Sequence, residues 1–184
     1  ENYTFYRMPF KVNNVTIAPP KKIMPLGDSI TQANGPVTGH PGFPGGYRKK
    51  LGELLAAAGI NYDFVGSSTV NPAPGIDPDH NGYPGYRTDQ ILSNLPSWLS
   101  TSNPDVVLLH IGTNALVQHY STEYAINNLR QIVRQIVSNP SRKLYIAKIV
   151  PILKSWEIPP TYPNHPEYAT STYWKPIVDG YNQA

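Results

Sequence analysis

The sequence predicts a three-layer α/β/α protein built on a central parallel sheet, and three observations carry that prediction. Short apolar runs alternate with stretches of helical periodicity from about residue 21 onward, the pattern of parallel strands joined by helical crossovers. Two of these runs stop at turns of small polar residues, Gly27-Asp28-Ser29 and Gly112-Thr113-Asn114, where open parallel sheets place their ligand sites. The chain has 184 residues, 40% hydrophobic and 15% charged, enough to bury one core and too apolar to be disordered throughout.

Residues 1–20 show no period and close on Pro19-Pro20, which reads as an N-terminal arm ahead of a domain spanning 21–184. Ile23-Met24-Pro25-Leu26 is the first strand, and a Gly/Pro loop follows from Asn34 to Gly46. Leu51, Leu54, Leu55 and Ala58 recur at helical spacing before Gly59, so Tyr47 to Ala58 is a helix, with Arg48, Lys49 and Lys50 expected on a solvated face. Tyr62 to Val65 is a second strand, and a Pro/Gly-rich loop runs from Asn71 to Tyr86. Asp89 to Leu99 is a helix with Ile91, Leu92, Leu95 and Leu99 along one side. Val106 to Ile111 is the clearest strand, and Ser121 caps a helix reaching about Ser138 whose stripe is Ile126, Leu129, Ile132, Val133, Ile136 and Val137. Leu144 to Val150 is a fourth strand. A long aromatic, Pro-rich loop then leads to a short amphipathic stretch with Trp174, Ile177, Val178 and Tyr181. With the strands in the order 2-1-3-4, the first and third are neighbours, and Ser29 and Asn114 converge on one crevice.

Composition narrows the function classes. There are 15 basic and 12 acidic side chains, a formal charge of +3, and no extended basic stripe, so nucleic acid is not an expected partner. No apolar run is long enough to span a membrane. The absence of cysteine excludes thiolate metal sites, a cysteine nucleophile and disulfides, and no two-histidine metal spacing is present. The sequons at Asn2 and Asn14 favour a secreted, glycosylated chain. The 20 prolines and 13 tyrosines point to stiff aromatic loops around a binding cleft.

Taken singly, Ser29 is as well explained as a helix cap and Asn114 as a turn residue. Their context is more specific. Met24-Pro25-Leu26-Gly27-Asp28-Ser29-Ile30-Thr31, Gly46-Tyr47-Arg48, Asp63-Phe64-Val65-Gly66-Ser67, His80-Asn81-Gly82-Tyr83-Pro84-Gly85-Tyr86-Arg87 and Gly112-Thr113-Asn114 follow one another in the order of the sequence blocks of the SGNH (GDSL-type) hydrolases. Over about residues 22–150 the chain most resembles carbohydrate esterase family three, the acetylxylan esterases and their relatives. The resemblance implies a flavodoxin-like sheet and a serine esterase without cofactor or metal. In it Ser29 is the nucleophile, and the N–H groups of Ser29 and Gly85 and the Asn114 amide receive the oxyanion; a neutral amide donor suits that charge. Asp28, Tyr83 and Tyr86 are the expected substrate contacts.

Two departures from the family pattern stand out. Ala115 replaces the aspartate that usually follows block III. The Asp-x-x-His that supplies the aspartate and histidine of the triad near the C-terminus of family members is not found there. Asp77-Pro78-Asp79-His80 spells the motif just before block II, too early in the chain, and is expected to be a decoy. His40, His110, His119 and His165 lack the required setting. The expectation is that the fifth strand of the fold and its helix, with the base, belong to a segment beyond Ala184 or to a separate polypeptide. The implied activity is deacetylation of acetylated cell-wall polysaccharide or oligosaccharide. The alternative is a carbohydrate-binding protein on the same scaffold without the base, with Tyr83, Tyr86, Trp156, Tyr162, Tyr168, Tyr173 and Trp174 stacking on sugar.

Overall fold

The computed structural model describes residues 18–33, 44–150 and 171–184, with side chains from 175 onward in the last stretch. The two sequons, most of the N-terminal arm, His40, the loop aromatics Trp156, Tyr162 and Tyr168, His165, and the side chains of Tyr173 and Trp174 lie outside the described residues.

Five parallel strands form one sheet: β1 (Lys21–Gly27), β2 (Tyr62–Phe64), β3 (Asn81–Gly82), β4 (Val106–His110) and β5 (Lys143–Ile146). The order is β2-β1-β4-β5, with the two-residue β3 paired to the end of β1. The four strands expected from the sequence are therefore present in the expected order. Among the described residues six helices accompany them: α1 (Ser29–Gln32), α2 (Gly46–Ala57), α3 (Thr88–Ser102), α4 (Thr113–Val117), α5 (Thr122–Val137) and α6 (Ser171–Gln183). α1, α4 and β3 were not anticipated, because each is shorter than the window over which periodicity can be counted.

β1 is buried from Ile23 to Gly27, as a strand covered on both faces must be. Its register sets Met24 beside Val107 and Leu26 beside Leu109. These four side chains, with Ile91 and Leu95 of α3 and Ile132 and Ile136 of α5, make the main core. A second cluster, Ala115, Leu116, Ala125, Ile149, Val178 and Tyr181, seats α4 and α6 against α5. Ser121 caps α5 as expected, its hydroxyl accepting the Tyr124 N–H at 3.1 Å.

α2 departs from its sequence reading. Leu54 is 55% exposed and Ala58 is also exposed, while the buried positions are Arg48 and Gly52. Leu51 and Leu55 are half-buried beside them, so hydrophobic spacing found part of the packed face; it missed Arg48, which meets loop carbonyls and so calls for a donor rather than a hydrocarbon. Lys49 and Lys50 are solvent-exposed as expected; Arg48 is not. β5 is also shorter than Leu144–Val150 and closes the described sheet on one side, with Tyr145 and Ile146 59% and 50% exposed.

Candidate active site

β1 delivers the chain to Gly27, where a side chain has no room: a Cβ would collide with the His110 carbonyl of β4 and the Thr31 hydroxyl of α1. That close approach lets the chain turn at once into α1. Asp28 caps the turn, its Oδ1 accepting the Ile30 N–H at 3.0 Å, and Ser29 becomes the first residue of the helix. Ser29 is partly exposed, and among the described residues its hydroxyl has no hydrogen-bond partner.

The loop after β3 is held to this turn. The Tyr83 N–H donates to the Gly27 carbonyl at 3.1 Å. Tyr83 to Tyr86 is itself a tight turn closed by the Tyr86 N–H on the Tyr83 carbonyl at 3.1 Å, with Pro84 second and Gly85 third. Gly85 has φ of +76°, the left-handed conformation that the third position of a type II turn requires. Asn114, on α4 at the end of β4, donates from Nδ2 to the Tyr86 carbonyl at 3.0 Å and approaches Asp28 Oδ2 at 3.5 Å. Ser29, Gly85 and Asn114 thus sit on three neighbouring turns cross-linked by backbone and amide hydrogen bonds.

Asp28 does not occupy the place expected of a substrate contact. It is 1% exposed, and both of its oxygens face protein groups. Burial pushes its carboxyl above the usual carboxylate range, against the pull of the Ile30 N–H and of His110. It organises the Ser29 turn from behind. The Tyr83 ring stacks on Tyr86 at 4.9 Å and on Trp98 of α3 at 5.3 Å, and its hydroxyl lies 2.7 Å from that of Ser67. These contacts are within the protein and make Tyr83 and Tyr86 a wall of the loop.

The Asp77 to His80 segment is structural. Asp77 Oδ2 accepts the Phe64 N–H and its Oδ1 the Asp79 N–H. His80 is fully buried: Nδ1 accepts the Gly82 N–H at 2.9 Å, which leaves Nε2 to donate to the Val70 carbonyl at 2.9 Å. Both ring nitrogens are occupied in the neutral tautomer, so this imidazole has no nitrogen left to take a proton from Ser29. His110 is buried within β4.

Burial, with help from the nearby Arg48 cation, lowers the His80 pKa from 6.5 to about 4. A neutral buried histidine contributes stability that is complete above pH 6.5 and is lost as pH falls towards 4. At about 1.36 kcal/mol per unit the loss reaches about 3 kcal/mol. Denaturant unfolding at about pH 7 and about pH 4.5 measures it, and in a proton NMR titration the His80 ring should stay neutral down to about pH 5.5. Protonation near the ordinary value of 6.5 would contradict the assignment.

Arg48 is the residue that sequence reasoning missed. It is 1% exposed, and its guanidinium donates to five backbone carbonyls: Thr31 (3.1 Å) and Gln32 (3.3 Å) of α1, Val70 (3.5 Å), Asn71 (3.3 Å) and Pro78 (2.8 Å). It ties the helix that begins with Ser29 to the loop that leads into block II. Its place directly after Gly46-Tyr47 was the available signal.

A parallel sheet with a serine at the first strand end, and a glycine turn and an asparagine beside it, is the arrangement expected of an α/β hydrolase. The profile of the GDSL-like lipase/acylhydrolase family matches residues 26–184, and the chain belongs to that family. Among solved structures it is similar to a Clostridium thermocellum family 3 carbohydrate esterase, with 34% identity, a TM-score of 0.66, and coverage of 89% of this chain and 71% of that one. It is also similar to a carbohydrate esterase family 3 protein from Talaromyces cellulolyticus (27% identity, TM-score 0.62, 89% and 72% covered). A mutant acetyl esterase solved with acetate ion is similar at 26% identity and TM-score 0.62, again with 89% and 72% covered. No curated protein sequence matches the chain. The protein is a carboxylic ester hydrolase of SGNH, carbohydrate esterase family 3 type.

Proposed function

We propose that the protein is a secreted esterase that removes acetyl or similar short acyl groups from plant cell-wall carbohydrate, acetylxylan or its oligosaccharides, through an acyl-enzyme on Ser29. The observation that carries this reading is the cross-linking of the three turns, with Asn114 Nδ2 on the Tyr86 carbonyl and the Tyr83 N–H on the Gly27 carbonyl. Similarity to two family 3 carbohydrate esterases and to an acetyl esterase supports the substrate class.

In the reaction the Ser29 hydroxyl oxygen bonds to the acetyl carbonyl carbon while its proton passes to a general base. The carbonyl electron pair becomes an oxyanion received by the N–H groups of Ser29 and Gly85 and by the Asn114 amide. Collapse breaks the bond to the sugar oxygen, which takes the proton, and water then releases acetate from Ser29 by the same route. Among the described residues His80 is committed to the fold and His110 is buried within β4; in this reading the base comes from an Asp-x-x-His segment on a separate polypeptide. Among the described residues no strand pairs with the outer side of β5, where Tyr145 and Ile146 are exposed, and this supports its docking there.

Acetate release from acetylated xylo-oligosaccharide by the natural protein, with intact-mass analysis of the same sample, tests both parts. Acetate release together with a further polypeptide segment is expected. An active sample holding only these 184 residues and glycan removes the separate-base proposal. Sugar binding with no acetate release favours the second reading, a carbohydrate-binding protein, which the structural engagement of His80 supports.

A further inference from the structure

The aromatic side chains expected to meet sugar are either half-buried and stacked on neighbouring rings, as Tyr83 and Tyr86 are, or outside the described residues. A different pair stands on the surface beside the site. Tyr120 and Tyr124 are each 39% exposed, and their rings stack at 5.3 Å with 27° between planes. Neither belongs to the two core clusters. Tyr124 lies in the first turn of α5, whose buried side is Ala125, Asn128, Ile132 and Ile136, so its ring is not needed to seat that helix.

This pair is anchored to the candidate site by two routes. α4 carries Asn114, and directly after it His119 adopts φ of +63° while the Tyr120 N–H returns to the Ala115 carbonyl at 3.0 Å. That left-handed turn at a residue other than glycine fixes where Tyr120 emerges. The second route runs through side chains. Gln118 Nε2 donates to the Gly85 carbonyl at 3.2 Å, Arg87 Nη1 donates to Gln118 Oε1 at 3.0 Å, and the Arg87 guanidinium lies 4.7 Å from the centre of the Tyr120 ring. The ring pair is therefore two hydrogen bonds and one ring contact from Gly85.

The chemistry of the surroundings selects the ligand. Arg87 is already neutralised by Asp89, with Nε on Oδ1 at 3.0 Å and Nη2 on Oδ2 at 2.9 Å, and its Nη1 is held by Gln118. The two-pronged edge that would grip a carboxylate or phosphate is already taken, so the surface suits an uncharged ligand. Exposed tyrosine rings flanked by amide and hydroxyl groups match a pyranose, which has an apolar C–H face and a hydroxyl rim.

We infer that Tyr120 and Tyr124 form a stacking platform for a neutral pyranose unit of the substrate chain, next to the unit whose acyl group reaches Ser29. The inference rests on the carbohydrate reading above. Titration calorimetry of the intact protein with an unacetylated β-1,4-xylo-oligosaccharide tests it without requiring turnover. Tyr124→Ala should weaken binding about 5–10-fold. Tyr124→Phe, which keeps the ring, should retain the affinity, as should Leu54→Ala, which removes an exposed apolar side chain elsewhere. On the acetylated oligosaccharide the same loss should appear in KM with kcat held. Oligosaccharide binding lost in Tyr124→Ala, in a protein that hydrolyses no ester, keeps the platform and overturns the esterase. Ester hydrolysis with oligosaccharide affinity and KM unchanged in Tyr124→Ala overturns the platform and keeps the esterase.

Discussion

Replacing Ser29 by Ala should lower ester turnover by about 10⁴-fold or more, to the level that a solvated cleft with oxyanion donors supports by itself. The argument has two parts. Chemically, the acyl-enzyme cannot form without the Ser29 oxygen, whereas the Gly85 N–H and the Asn114 amide are untouched and keep a residual rate. Structurally, the Ser29 hydroxyl has no hydrogen-bond partner among the described residues, and the turn is capped by the neighbouring Asp28. The substitution should therefore leave the melting temperature and KM nearly unchanged. A chromogenic acetate ester measures the rate and a thermal melt checks the fold. Turnover that survives in a folded Ser29→Ala protein places the nucleophile elsewhere.

Arg48→Met should destabilise the fold by about 3–5 kcal/mol, the range found when one member of a buried polar assembly is removed and its partners are left unpaired. Methionine has similar length and fills the space, but it offers no donor to the carbonyls of Thr31, Gln32, Val70, Asn71 and Pro78. For a chain of this size the melting temperature should fall by roughly 10 °C. Arg48→Lys keeps the charge and three donors, and should fall between. Because Arg48 joins α1 to the loop ahead of block II, hydrogen exchange should accelerate first at residues 70–82. A Met variant as stable as the parent would show that these carbonyls are equally well served by water.

Some of this arrangement was legible before any coordinates. The alternation of β1, α2, β2, α3, β4, α5 and β5 is written in hydrophobic periodicity, and Ser121 announces α5 through its capping chemistry. The ordered blocks identify Ser29, Gly85 and Asn114 as candidates, since a residue at a strand end is tied to that strand's place in the sheet. The early Asp77 to His80 motif was recognisable as out of place, and its hydrogen bonds show what it does instead.

What the sequence determined by itself is therefore local: which segments are strands and helices, and which small polar residues end them. The tertiary structure decided which side chains those elements turn towards each other. Leu54 and Arg48 lie on the same helix, and periodicity favoured the leucine. The burial of Arg48 depends on carbonyls from residues 31–32 and 70–78, far away in the chain. Asp28 turned inward and Tyr83 packed on Trp98 for the same kind of reason: their neighbours come from α4 and α3. Tyr120 and Tyr124 carried no motif at all, and only the chain of contacts through Arg87, Gln118 and Gly85 brings them to the site. Propensity and spacing act over one or two turns of chain, whereas burial and hydrogen-bond satisfaction are settled between segments that meet only when the sheet is assembled.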